Sequence, residues 1–156
     1  MHPPTEPPSR GSGPPDEGSR HDRASPPSTA RRALVIDDEP SIRLALRRFL
    51  ARDGWQVDEA GDGKIALGKL AGAPGDPAGY DLLICDLRMP GVSGPELYDW
   101  LCEHRPELLS RLIVATGDAV SQDAADFVQR TACPVLQKPF ELTELRALVQ
   151  RVASGG

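Results

Sequence analysis

No stretch of this chain approaches the ~20 consecutive apolar residues needed to span a bilayer. The opening Met1-His2-Pro3-Pro4 also lacks the apolar core of a secretory signal. Neither a membrane span nor export is expected, and a cytoplasmic setting is. Positive charge is not in excess either. Eighteen Lys and Arg face 23 Asp and Glu, a net charge of −5, which removes any general attraction to nucleic acid or anionic lipid. Cysteine is scarce: Cys85, Cys102 and Cys133 are odd in number and show no CxxC spacing. That excludes a disulfide framework or a zinc site and leaves reduced thiols as the expectation. At 156 residues the chain is long enough for one domain and short for two.

Proline is present but unevenly spread. The first thirty residues hold about half of the 16 prolines, in runs such as HPPTEPPSRGSGPPDEGSR. This composition cannot bury enough apolar surface to offset ordering entropy, so residues 1–31 are expected to be a disordered tail. The structured domain is expected over 32–153, with 154–156 disordered again.

From Ala33 onward short apolar runs alternate with helical periodicity. The runs are Ala33–Ile36, Leu82–Cys85, Leu112–Ala115 and Pro134–Leu136. Each is too short for a helix and apolar on both faces, as in strands buried between helix layers. Trp55–Asp58 alternates and suits a strand nearer the sheet edge. Between them, Ile42, Ala45, Leu46, Phe49 and Leu50 form a helical stripe ending at Gly54, a C-terminal cap position. Ile65, Ala66 and Leu70 form a stripe after Asp62 as N-cap. Leu97, Trp100 and Leu101 follow Pro95, a first-turn residue. Ala124, Phe127 and Val128 follow Ser121, and Leu145, Leu148, Val149 and Val152 follow Thr143. Five such βα units predict a parallel sheet covered by helices on both faces, with AGAPGDPAG (71–79) as a loop extension before the third strand.

The polar residues just past each run carry the chemistry. The first run ends in Asp37-Asp38-Glu39, the third strand in Asp86, the fourth in Thr116-Gly117-Asp118 and the fifth in Lys138-Pro139. Open α/β sheets bind ligands beyond the carboxyl ends of their strands, where strand order reverses. If the first and third strands adjoin there, three carboxylates converge with a hydroxyl and an ammonium. Crowded carboxylates repel unless a cation sits among them, and a few oxygen ligands suit Mg²⁺. An aspartate can attack phosphorus to form an acyl phosphate. The transferring group then needs its charge balanced, by metal on one side and lysine on the other. Thr116 can donate to a phosphoryl oxygen, and Gly117 lets its N–H come close.

The motifs VIDDE (35–39), CDLRMPGVSG (85–94), ATGD (115–118) and QKPF (137–140) together resemble the signature of response-regulator receiver domains, in order and at fitting intervals, from about Arg32 to Val152. The resemblance implies a flavodoxin-like, CheY-like (βα)5 fold with strand order 2-1-3-4-5. It makes Asp86 the phosphoacceptor, forming 4-aspartylphosphate. Mg²⁺ ligation falls to Asp38 and Asp86 directly, to Asp37 through water and to the backbone carbonyl of Arg88. Thr116, Lys138 and the Gly117 backbone contact the phosphoryl group, and the Lys138–Pro139 peptide is cis. The donor is then a phosphohistidine on a sensor histidine kinase or phosphotransfer protein, in a two-component phosphorelay. The chain is a switch with slow autodephosphorylation and not an enzyme proper.

No output module of its own is expected, so the signal is expected to pass to a partner protein, without nucleic acid or membrane contact. The face of the fourth helix, fifth strand and fifth helix is where a homodimer would form. Arg88 and Asp118 flank the path of hydrolytic water and are expected to tune the lifetime of the phosphorylated state. One departure concerns Val135, which stands where similar domains carry an aromatic residue that swings inward with the threonine. Three alternatives remain beside a free-standing receiver. The chain could be the receiver of a hybrid kinase. An aspartyl-phosphate phosphatase would commonly place Asp at position 88, which is Arg. A pseudo-receiver would normally lack an acidic residue, the threonine or the lysine, and all are present.

Overall fold

A computed structural model of the protein describes residues 31–72, 79–89, 91–117 and 121–154. Residues 1–30 of the expected tail, most of the 71–79 extension, Asp118 and the last two residues lie outside this set. Three apolar runs become the inner strands β1 (Arg32–Ile36), β3 (Leu82–Asp86) and β4 (Leu112–Thr116). The edge strands are β2 (Gln56–Ala60) and β5 (Val135–Gln137). All pairs are parallel in the order β2-β1-β3-β4-β5, so the predicted 2-1-3-4-5 sheet is the one observed.

Strand periodicity of two divides the core. Leu34, Ile36, Leu83, Cys85 and Val114 point to one face. There they meet α2 (Gly63–Ala71), α3 (Gly94–His104) and α4 (Gln122–Thr131) through Ala66, Leu70, Leu97, Leu101 and Phe127. Ala33, Val35, Leu82, Ile84 and Ile113 point to the other. They meet α1 (Pro40–Arg52) and α5 (Leu142–Ala153) through Leu46, Leu50, Leu145 and Val149. Each large aliphatic residue buried this way contributes about 1.5–3 kcal/mol, so truncating Ile84 to alanine costs about 2–5 kcal/mol.

Asp62 caps α2 through Ile65 N–H (2.8 Å) and Ser121 caps α4 through Ala124 N–H (3.1 Å), as expected from sequence. Gly54 follows α1 with φ +89°, a conformation that favours glycine. Three expectations shift, and one element is new. The second strand starts at Gln56, because Trp55 N–H turns back to the Leu50 carbonyl at 3.1 Å and pairing with β1 begins one residue later. Ile65 is 48% exposed, so the α2 stripe is carried by Ala66 and Leu70. The last helix starts at Leu142, ahead of Thr143, since Glu144 reaches back to cap Glu141 N–H at 3.2 Å. A 3₁₀ helix, Pro106–Arg111, fills the link between α3 and β4.

Candidate functional site

Four strands deliver polar residues to the carboxyl edge of the sheet. Asp37 follows β1, and its N–H continues the ladder by donating to the Ala60 carbonyl at 3.1 Å. Its Oδ1 accepts from Glu39 N–H at 2.9 Å, a local turn that folds the chain into α1. Asp38 is exposed. Asp86 closes β3 and is 7% exposed, with Oδ1 accepting from Arg88 N–H at 3.2 Å. Gly94 lets the loop after β3 fold back tightly. A Cβ there would lie 2.9 Å from the Leu87 carbonyl oxygen, to which the Gly94 N–H donates at 3.0 Å.

Lys138 arrives from the far side, after β5. Its N–H donates to the Thr116 carbonyl at 2.8 Å, which aligns β4 and β5, and the Lys138–Pro139 peptide is cis. The ammonium lies 2.7 Å from Asp37 Oδ2, 3.3 Å from Asp86 Oδ2 and 3.3 Å from Glu39 Oε1. The contact to Asp37 is ionic, because Oδ2 is buried without an aligned hydrogen bond. One oxygen each from Asp37, Asp38 and Asp86 lie within 4.8 Å of one another. One ammonium thus faces a crowd of carboxylates.

Titration reflects that crowding. Burial raises the Asp86 pKa above the usual aspartate value. Lys138 and the Arg88 N–H oppose the rise, Asp37 adds to it, and the net direction is up. For Lys138 burial pulls down, yet contacts with Asp37 and Asp86 outweigh it and hold the ammonium above its ordinary pKa. Beneath them Cys85 is buried and its thiol pKa is pushed well up by burial, so it is an inert core residue.

Asp37, Asp38, Asp86 and Lys138 are brought together as named from sequence, and Thr116 ends β4 beside them, buried. Gly117 is uncrowded, since a Cβ there would come no nearer than 4.0 Å to that of Lys138. Arg88 is exposed and lines a groove of about 510 Å³ with Met89, Asp123 and Phe127. Asp118 lies outside the described residues. Val135 lines a cavity of about 400 Å³ with Thr116, Ala124 and Val128. Glu39 as a third lysine partner was not read as a site residue. Nor was Arg43, which donates to the Asp37 carbonyl at 2.7 Å. The available signal was an arginine one turn into the helix that succeeds the acidic triplet.

An all-parallel sheet with an acidic pocket at the reversal between β1 and β3 is the architecture of doubly wound α/β proteins that bind ligands at a switch point. Within that class the chain belongs to the response regulator receiver domain family, whose profile matches residues 33–150. Among curated proteins it is 34% identical to the DNA-binding transcriptional regulator NtrC of Salmonella typhimurium, over 77% of this chain and 24% of that protein. It is 32% identical to the transcriptional regulatory protein ResD of Bacillus subtilis, over 77% of this chain and 48% of that protein. The chain thus spans from a quarter to about half of these relatives. The response regulator TrrA of Thermotoga maritima, solved in complex with Mg²⁺-BeF, is 32% identical, with a TM-score of 0.65 over 78% of this chain and 98% of that one. No helix among the described residues is long and apolar enough to cross a membrane.

Proposed function

We propose that this domain is a phosphorylatable switch in which Asp86 accepts a phosphoryl group in a Mg²⁺-dependent reaction. The observation that carries the reading is a nearly buried carboxylate at the end of β3, close to two further aspartates, with Lys138 as the cation that reaches it. The buried, unaligned Asp37 Oδ2 and the cluster of oxygen-only donors fit a small hard cation. Asp38 and Asp86 would hold it directly, Asp37 through water, and the Arg88 carbonyl would complete the protein's share. A bound Mg²⁺ would supply positive charge that offsets the charge on the phosphoryl group.

The remaining work belongs to the chain. An Asp86 oxygen attacks the phosphorus of a phosphohistidine, forming a P–O bond as the P–N bond breaks, and the imidazole leaves with the bonding pair. Lys138 exchanges its carboxylate partners for a phosphoryl oxygen, Thr116 donates its hydroxyl to another, and the Gly117 N–H approaches a third. The donor on this reading is a sensor kinase or phosphotransfer protein, and a partner protein takes the readout in the cytoplasm.

Incubation with acetyl phosphate and MgCl₂, then intact mass, tests the reading. A stable adduct of one phosphoryl group is expected. Turnover of the donor without an adduct would make the domain a phosphatase. An unchanged mass with no turnover would make it a binding domain that works without phosphorylation.

A further inference from the structure

The side chain that ties the acidic loop to its surroundings is Arg43, on the first turn of α1. Its Nη1 donates to the Asp37 carbonyl at 2.7 Å, and its Nε donates to Glu59 Oε1 at 3.1 Å. The other Glu59 oxygen pairs with Arg47 Nε at 2.9 Å, so the anchor on β2 is itself held from both sides. Gly61 leaves room for the guanidinium, since a Cβ there would lie 3.3 Å from Nη1. One planar fork therefore joins α1, the edge strand β2 and the loop after β1.

The carbonyl it grips belongs to the Asp37–Asp38 peptide. Peptides are planar, so fixing that oxygen fixes the plane from which Asp38 departs. Asp38 needs such help. Its exposed carboxylate has no hydrogen bond or ion pair among the described residues, whereas Asp37 is held by Glu39 N–H and Lys138. We infer that Arg43 is a positioning residue for Asp38 in divalent-cation binding, an inference that rests on the Mg²⁺ reading above. Two effects of Arg43 oppose each other. Its charge alone would repel a cation, while its grip on the carbonyl aims a ligand. Glu59, shared with Arg47, offsets only part of that charge, while the grip on the Asp37 carbonyl is direct at 2.7 Å, so the grip dominates.

Backbone-amide NMR titration with MgCl₂ on the full chain separates these effects, with Arg43→Ala, Arg43→Lys and Glu59→Gln compared with wild type. Outer-shell partners of metal ligands are worth about 10–100-fold in affinity. Arg43→Ala is expected to weaken Mg²⁺ binding about tenfold, at the low end of that range. Arg43→Lys should fail to restore it, because an ammonium cannot grip the carbonyl and Glu59 as a fork. Glu59→Gln should fall between wild type and Arg43→Ala. In acetyl-phosphate assays the same variants should need more Mg²⁺ for half-maximal phosphorylation while keeping the saturating rate, a split that general loosening of the fold would not produce. Should Arg43→Ala fail to fold, the Lys and Gln variants carry the test. Wild-type affinity in Arg43→Lys, or binding by Arg43→Ala equal to or tighter than wild type, overturns the inference. Absence of Mg²⁺ binding by the wild type instead overturns the reading of the site itself.

Discussion

Two charged clusters sit at opposite ends of the same sheet, and they are built differently. At the amino ends, Arg32 N–H donates to Asp81 at 3.0 Å, and the Arg32 guanidinium meets Asp58 at 3.2 Å while lying 4.8 Å from the centre of the Tyr80 ring. The buried Tyr80 hydroxyl donates to the same Asp58 oxygen at 2.6 Å, and Arg111 donates to the Tyr80 carbonyl at 2.7 Å. Burial first, and then that bond to Asp58, push the phenol pKa above its usual value and keep it a donor. Here Arg32 pairs with Asp58 and Arg111 adds a second positive charge beside two aspartates. At the carboxyl ends Lys138 faces Asp37, Asp86 and Glu39, with Asp38 beside them. A balanced cluster stabilises the fold and needs nothing more. An acidic excess is tolerated where a cation or a phosphoryl-transfer function compensates for it.

The comparison breaks most readily at Asp38. Asp38→Ala is expected to lose Mg²⁺ binding and phosphorylation together, while Asp37→Ala weakens both less and Asp58→Ala leaves both alone. NMR titration and intact mass are the readouts, and equal Mg²⁺ binding by Asp38→Ala and wild type would remove Asp38 as a ligand. A smaller effect is expected at Lys138. Lys138→Ala should slow phosphorylation by acetyl phosphate on the order of 10²-fold, the scale for removing one donor from a developing anion, and an unchanged rate constant would exclude that role.

The opposite end should respond in stability alone. Tyr80→Phe removes a partly buried hydrogen bond to a charged group, worth about 1.5–3 kcal/mol. Urea unfolding should show that loss with no change in phosphorylation rate. A slower phosphorylation would mean that the two ends are coupled. The smallest effect is electrostatic. The folded Asp86 pKa is raised by burial, so its contribution to stability is fully present below the ordinary aspartate pKa and is lost as pH rises through the folded one. Asp86→Asn should therefore raise the melting temperature at neutral pH, and the gain should vanish below the ordinary aspartate range. A variant that melts lower than wild type at neutral pH would contradict the raised pKa.

Much of this was legible in the residues because burial on both faces makes the inner strands of a parallel sheet read as continuous apolar runs. Asp37, Asp86, Thr116 and Lys138 were legible for the same reason, since each stands at or just past the end of such a run. The edge strand was displaced because Gln56–Ala60 is mostly half-buried and its limits are set by pairing with β1. Ile65 satisfied the helical period but falls on the rim of α2. The contacts of Arg43 with Asp37 and Glu59 depend on where a long side chain reaches once α1 has docked against β1 and β2; its place one turn past the acidic triplet is a signal, but the spacing does not fix its partners.

On the proposed function, the acidic excess at the carboxyl ends serves the phosphorylation of Asp86. Peptide mapping of the domain after incubation with acetyl phosphate and MgCl₂ tests it most directly, with wild type and Asp86→Asn treated side by side. One phosphoryl group on the peptide containing Asp86 in the wild type, and none anywhere in Asp86→Asn, is the predicted result. A phosphoryl group that persists in Asp86→Asn and maps to another residue, or an unmodified wild type, would contradict the claim.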